Sequence, residues 1–304
     1  MKIKKYIPHL MLLSAAMIWG FGFTAQDAIE SLGAFSIGAV RSWIAGFFLI
    51  LVIMLLDRLR HTGRRLFSRC GIDITRTELI GGILCGVALS VASSLQQIGI
   101  TDGTDGGKAA FITSLYVVLV PVYSLLIGKR AHLNVWISVA IAAVGFYFLC
   151  IKDDLSITLS DVWVILCALV FPLHILIIDH FSPRTDGARL SCVQFFTCAV
   201  IQTVPAIVIG GDTMAEVGAN ILPLLFLGVG SSGIAYTLQI LGQNGVDPSA
   251  ASIIMSLESV FGVIGSMLIL HSTLSEQEYI GCFIVLVAVI LSQLEFPKKT
   301  PTTE

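Results

Sequence analysis

The sequence predicts an all-α polytopic membrane protein of ten transmembrane helices in two inverted five-helix repeats, and three observations carry that prediction. The first is composition: of 304 residues 56% are hydrophobic and only 12% charged, against about a quarter charged in soluble domains. The second is length. Apolar stretches fall at about residues 8–26, 35–56, 78–100, 107–127, 134–151, 161–178, 190–209, 219–241, 249–270 and 278–295, each near the ~20 residues that cross a hydrocarbon core. The third is charge placement, because Lys and Arg collect in short loops on the cytoplasmic side. With the N-terminus inside, that side receives Lys2, Lys4, Lys5, Arg58, Arg60, Arg64, Arg65, Arg69, Arg76, Lys129, Arg130, Arg184, Arg189, Lys298 and Lys299. Of the 18 basic residues only Arg41, Lys108 and Lys152 fall elsewhere. The opposite loops carry acids such as Asp27, Asp102, Asp105 and Asp212. Both termini are therefore expected in the cytoplasm.

Each element has its own justification. Lys2, Lys4 and Lys5 before an apolar run resemble a secretory signal, but the run continues through Trp19-Gly20-Phe21-Gly22-Phe23 without a small-residue cleavage site, so it reads as a retained first helix. The seventh stretch holds Gln194, Gln202 and Pro205; dropping it would put the chain's two ends on opposite sides. The Arg-rich loop from Asp57 to Thr77 is a topology determinant. Pro121 and Pro172 are expected to kink the fourth and sixth helices. The cysteines, at 70, 85, 150, 167, 192, 198 and 282, form no CxxC pair and read as small hydrophobes.

The repeat is visible in polar residues. Leu95, Gln96 and Gly99 recur as Leu238, Gln239 and Gly242, and after a one-residue slip Ser114, Leu115 and Ser124 recur as Ser256, Leu257 and Ser266. Matching Gln, Gly and Ser in register are harder to obtain by chance than Leu or Ile alone. Helices 3 to 5 thus repeat as 8 to 10, dividing the chain into 1–151, 152–297 and a tail 298–304. Five is odd, so the second copy is inserted upside down, an arrangement that serves alternating access around a site near the bilayer midplane.

The runs AFITSLYVVLVPVYSLLIGKR and ASIIMSLESVFGVIGSMLIL, with WGFGF in the first helix and Arg41 in the second, resemble the EamA-like family of the drug/metabolite transporter superfamily over nearly the whole chain. The resemblance implies ten helices in two inverted repeats and a multi-pass carrier of the bacterial inner membrane, often an exporter of amino acids or related metabolites. One departure is clear. The Gly-Glu that commonly ends the fourth helix of each repeat reads Gly128-Lys129 and Leu270-His271, so a role for that acid does not carry over.

Arg41 and Glu258 are the charged residues inside spans, where an ionisable group is costly and usually functional. Counting residues at helical rise leaves them about 7 Å apart in depth, close enough for an ion pair that a substrate or proton would break. Around them stand Gln96, Tyr116, Tyr236, Gln239 and Trp19. Gln96 and Gln239 are repeat-related, Tyr116 occupies the slot of Glu258, and Tyr236 and Gln239 share a face. Each alone serves equally well as a helix-to-helix hydrogen bond, Arg41 could snorkel to the surface, and Trp19 could simply pack beside Gly20 and Gly22.

Enzyme motifs do not assemble. DGTDGGKA lacks the first Gly and the final Ser or Thr of a phosphate loop, and no His, Cys or Asp spacing suits a metal. The expectation is a secondary active transporter, not an enzyme, with no cofactor. It moves a small polar metabolite such as an amino acid or amine, with export favoured and protons the candidate coupling ion. Its surroundings are a lipid bilayer and no nucleic acid, as monomer or homodimer. The alternative of another class is a membrane-embedded enzyme or sensor acting on a lipid-like substrate.

Overall fold

The computed structural model describes residues 3–29, 31–60, 67–68, 71–72, 74–129, 132–150, 157–269 and 275–292. The expected tail, the boundary at 151–152, Arg64, Arg65, Arg69 and the Leu270-His271 pair lie outside the described residues. Helices account for nearly all of the rest: α1 (Ile3–Asp27), α2 (Ala34–Arg60), α3 (Arg76–Thr101), α4 (Gly106–Ser114), α5 (Tyr116–Leu126), α6 (Leu133–Cys150), α7 (Leu159–Phe181) and α8 (Gly187–Ile209). They continue as α9 (Met214–Ala219), α10 (Ile221–Leu225), a ten-residue π-helix (Phe226–Ala235), α11 (Tyr236–Gln243), α12 (Pro248–Met255), α13 (Glu258–Ile269) and α14 (Glu276–Ser292). A two-residue antiparallel ladder, Phe67–Ser68 against Gly71–Ile72, sits in the Arg-rich loop.

Among the described residues, eight helical segments are long and apolar enough to cross a membrane, and Leu133–Phe148 and Tyr279–Ser292 are shorter apolar helices. The distribution of side chains is that of a protein solvated by hydrocarbon. Phe47, Leu51, Leu55, Leu84, Val204 and Phe283 are exposed, while Gln96, His174, Gln194, Gln202, Gln239 and Glu258 are buried. With lipid outside there is no hydrophobic drive to bring helices together, so association rests on close backbone approach and on buried hydrogen bonds. Both are present between α3 and α8. A Cβ on Gly82 would meet Val193 at 2.5 Å, and one on Gly86 would meet Thr197 at 2.5 Å, so these two glycines one turn apart form a flat track for α8. Gln202 of α8 then donates to Ser93 Oγ at 2.9 Å and Ser94 Oγ at 3.2 Å, and its Oε1 accepts from Ser42 of α2. Gln202, a polar residue inside the seventh apolar stretch, is thus one of its anchors.

The other principal pairings are α2 along α8, α6 along α14, α3 along α7, and α1 along α13, α11 and the π-helix. α7 continues through Pro172 and α5 through Pro121, while the fourth stretch, expected as one helix, breaks at Leu115, between α4 and α5. The ninth stretch, expected as one helix, also breaks, between Met255 and Glu258. Each broken rod opens with an Asp cap: Asp105 accepts from the amides of Gly107 and Lys108, and Asp247 from those of Ser249 and Ala250.

The crossing of α1 and α13 is the closest to the charged interior. A Cβ on Gly20 would lie 2.4 Å from Phe261 Cβ and 2.7 Å from the carbonyl oxygen of Glu258, both far inside van der Waals contact. Gly20→Ala should therefore destabilise the protein by about 1–3 kcal/mol, as overpacking does, whereas Gly218→Ala, whose Cβ would meet nothing within 4 Å, should be neutral. Thermal unfolding in detergent checks both; equal melting temperatures would show that α13 simply slides away.

Candidate functional site

The seven residues singled out from the sequence converge. Trp19, Arg41, Gln96, Tyr116, Tyr236, Gln239 and Glu258 all line one cavity of about 540 Å³, its open mouth included, together with Phe23, Gln26, Ser93, Thr113, Phe171, Ile175, Ser231 and Met255. The walls come from α1, α2, α3, α4, α5, α7, the π-helix, α11, α12 and α13, so almost every rod of the interior contributes.

Arg41 is fixed by three neutral acceptors. Its Nε donates to Ser232 Oγ at 3.0 Å, one terminal nitrogen to Gln26 Oε1 at 3.1 Å and the other to Ser231 Oγ at 3.1 Å. This ties α2 to α1 and to the π-helix and corrects two expectations. Arg41 does not snorkel, and among the described residues no ion pair joins it to Glu258. Its partners are the hydroxyls of Ser231 and Ser232 and the amide oxygen of Gln26, not the carboxylate. A guanidinium has five N–H donors, so this arrangement leaves two for another partner.

Glu258 is 5% exposed. It is the first residue of α13, where the break after Met255 turns its side chain into the cavity and where the amide dipoles of a helix N-terminus favour an acid. The hydroxyls of Tyr116 and Ser114 are its neighbours, but its Oε1 is buried without a hydrogen-bond partner. Ser114 Oγ lies 2.5 Å from Ser259 Oγ, and both hydroxyls are within reach of the carbonyl of Ala110; with one proton each, one serine donates to that carbonyl and the other to its partner. The breaks in the two rods therefore touch each other.

The rings of Trp19 and Tyr236 meet at 4.8 Å between centroids, and Trp19 Nε1 donates to the carbonyl of Ser231 at 3.1 Å. Tyr236 further meets His174 and Phe195 edge-on, and Phe171 lies against Tyr116. Gln96 donates to Thr113 at 2.9 Å, whereas Gln239 Oε1 is buried and unpartnered. The cavity thus offers two spare guanidinium donors at one wall, vacant carboxylate and amide oxygens at another, and aromatic faces between. Such a set can hold a molecule with a donor-rich cationic end and an acceptor-rich end.

Most of the lining missing from the sequence reading was findable. Phe23 and Gln26 follow Trp19 at i+4 and i+7. Thr113, Ser93 and Met255 precede named residues by three, and Phe171 and Ile175 sit one turn apart. Ser231 was not findable that way. It precedes Tyr236 by five, and only the wider π-helical turn puts those two on one face.

Comparison with known proteins agrees with this architecture. A family model described as the EamA-like transporter family matches residues 7–151 and again 158–294. An uncharacterized transporter of Archaeoglobus fulgidus (strain ATCC 49558 / DSM 4304 / JCM 9628 / NBRC 100126 / VC-16) is 30% identical over 295 residues, covering 96% of this chain and 87% of its own. A solved structure described as "Crystal structure of protein" superimposes with a TM-score of 0.74 over 94% of this chain and 96% of that one, at 14% identity, a likeness of fold alone. With a family model spanning both halves, this polytopic membrane chain belongs to the EamA-like transporter family.

Proposed function

We propose that the protein is a secondary carrier that moves a small amphoteric metabolite, an amino acid or a related amine, across the bacterial inner membrane by alternating access. Export is the direction that the family resemblance favours. The observation that carries this reading is the cavity itself. Arg41, hydrogen-bonded only to neutral acceptors among the described residues, and Glu258 with a vacant oxygen line one cavity, so an anionic group would be met by the spare guanidinium donors and an ammonium group by the carboxylate. Glu258 binds a proton or the ammonium in turn, which gives exchange between the two a simple basis.

The packing supports the inverted-repeat reading, with halves 1–151 and 152–297. Exchanging the first five rods for the last five leaves the pairs α2/α8 and α6/α14 in place, and turns α3/α7 into the pair formed by the π-helix and α11 with α1. Asp105 and Asp247, Ser114 and Ser256, and Tyr116 and Glu258 correspond at one constant offset, caps and breaks included. Rocking one half on the other would open the cavity first to one side and then to the other.

With both termini in the cytoplasm, Arg184 and Asp102, both exposed, face opposite sides. A cysteine at Arg184 should react with an impermeant thiol reagent from the cytoplasm and one at Asp102 from outside; labelling of both from one side would end the inverted-repeat reading. The transported compound is identified by comparing metabolites released by cells with and without the chain, and its uptake is then measured in proteoliposomes. Arg41→Lys keeps the charge and loses about one hydrogen bond, roughly 1 kcal/mol, so transport should stay within about tenfold; Arg41→Met should abolish it. Glu258→Gln should insert and fold normally, because an amide serves its hydroxyl neighbours, yet uptake driven by a pH gradient should vanish. Wild-type rates in Glu258→Gln, with unchanged pH dependence, would return Glu258 to a structural role.

A further inference from the structure

The part of the cavity lining around Arg41 is sorted by hydrogen-bond polarity. Arg41, Gln26 and Ser231 all line the cavity. A guanidinium only donates, so the atom of Gln26 turned to it, at 3.1 Å, is the amide oxygen, and the amide nitrogen is left with both of its protons. The Ser231 oxygen likewise accepts from Arg41, at 3.1 Å, and keeps its own proton to give. Neither Gln26 Nε2 nor Ser231 Oγ donates to another group among the described residues. Gln26 is 5% exposed, and its amide nitrogen is not among the sealed polar atoms, which leaves the cavity as what it faces. The ion thus takes up the acceptors of its own neighbours. What remains free around it is donors: the spare N–H groups of Arg41, the amide N–H groups of Gln26 and the hydroxyl of Ser231.

These donors are in place before any ligand arrives. Arg41 is tied to α1 through Gln26 and to the π-helix through Ser231 and Ser232, and Trp19 holds the carbonyl of Ser231 at 3.1 Å, so little ordering cost attends binding. Charge sets the ligand. Arg41 is the only Lys or Arg among the residues lining the cavity, and Glu258 lines it too. One incoming negative charge is therefore compensated, while a second would stay unmatched in a dry interior at large cost. A glutamate in place of Gln26 would neutralise Arg41 outright, which is how buried ions are ordinarily accommodated. The amide supplies the same oxygen at the same place and leaves the charge unmatched.

We propose that Gln26 and Ser231 complete, with Arg41, a donor-only seat for a singly charged oxyanion, a carboxylate or a sulfonate, and that the neutrality of Gln26 makes the cavity take an amphoteric compound in preference to a simple amine. An oxyanion of this kind presents acceptors alone, and every free group of the seat can donate to it. A neutral amide or alcohol brings donors that find no acceptor there. The assignment of the seat to the carboxylate end of a transported metabolite rests on the carrier reading; the seat itself is tested without transport.

The test uses purified protein in detergent, with Ser93→Cys in a chain otherwise free of cysteine. Ser93 lines the same cavity. The reagents are sulfonatoethyl methanethiosulfonate, which itself carries a singly charged oxyanion, and its trimethylammonium-ethyl counterpart, each rate being divided by that of a cysteine at the exposed Asp102. Ser93→Cys should favour the sulfonate reagent. Acetate and methanesulfonate should slow that reaction relative to chloride at equal ionic strength, and phosphate in its dianionic form should slow it less. Adding Gln26→Glu should invert the preference, moving the ratio of the two rates by more than about tenfold, without lowering the melting temperature, because the new carboxylate pairs with Arg41. Gln26→Met keeps the charge of Arg41 but removes the amide donors, so protection by acetate should weaken about threefold while the sulfonate reagent stays preferred. If Gln26→Glu does not insert, Gln26→Met and Ser231→Ala carry the comparison; if the cysteine-free chain does not insert, peptide-resolved mass spectrometry reads position 93 with the native cysteines in place. A sulfonate preference that survives Gln26→Glu, acetate protection untouched by Gln26→Met, or Ser93→Cys silent to both reagents would each overturn the seat. Equal protection by phosphate and acetate would overturn its limit to one charge. Labelling as expected in a chain that takes up no metabolite would count against the transport reading and not against the seat.

Discussion

The guanidinium of Arg41 is a full positive charge inside a protein whose outer surface is hydrocarbon-facing, and it is held there by three neutral oxygens. Holding such a charge without a counter-ion is affordable only if its donors are satisfied locally, and that requirement shapes the surroundings. Gln26 has to sit on the inward face of α1, two serines have to follow one another in the eighth stretch, and the backbone there has to widen so that both reach the same ion. Trp19 joins the arrangement through the carbonyl of Ser231. Because among the described residues no carboxylate pairs with the ion, its field remains available to whatever enters the cavity.

Glu258 is positioned by a different device. The ninth rod is interrupted immediately before it, and the missing Cβ of Gly20 lets the backbone of α1 lie against the carbonyl of Glu258 itself. The acid is therefore set by main-chain contact, which leaves its side chain free of structural duty. The matching interruption at Leu115 has Tyr116 in the same slot, and the serine pair between the interruptions joins the two rods where each is weakest as a helix. In the proposed repeat a phenol and a carboxyl stand at equivalent places, a site symmetric in construction and asymmetric in chemistry.

The fold was legible because hydropathy acts over whole spans and a single residue hardly matters; even the seventh stretch with its glutamines is a continuous helix. The site residues were legible for the opposite reason. In an apolar span each polar residue stands out, and Trp19, Arg41, Gln96, Tyr116, Tyr236, Gln239 and Glu258 do meet at one cavity. Two things were not legible. The expected Arg41–Glu258 pair failed because depth along two helices says nothing about which walls they face. The helix breaks were not expected, because they fall at Ser-Leu pairs whose local sequence carries no breaker. Tertiary crossing, not propensity, decides those positions.

The ten-residue π-helix from Phe226 to Ala235 has a consequence for how this chain tolerates change. A wide coil holds more residues per turn than an α-helix, so its length sets the rotational phase of everything that follows in the same rod. Removing one residue while the rest of the coil keeps its width would turn the downstream segment by somewhat less than the ~100° of an α-helical residue, swinging Tyr236, Gln239 and Gln243 away from the interior together while leaving every side chain unaltered. For this rod the conserved quantity would be the spacing between Leu225 and Tyr236, and a silent-looking deletion there would act as a many-residue substitution.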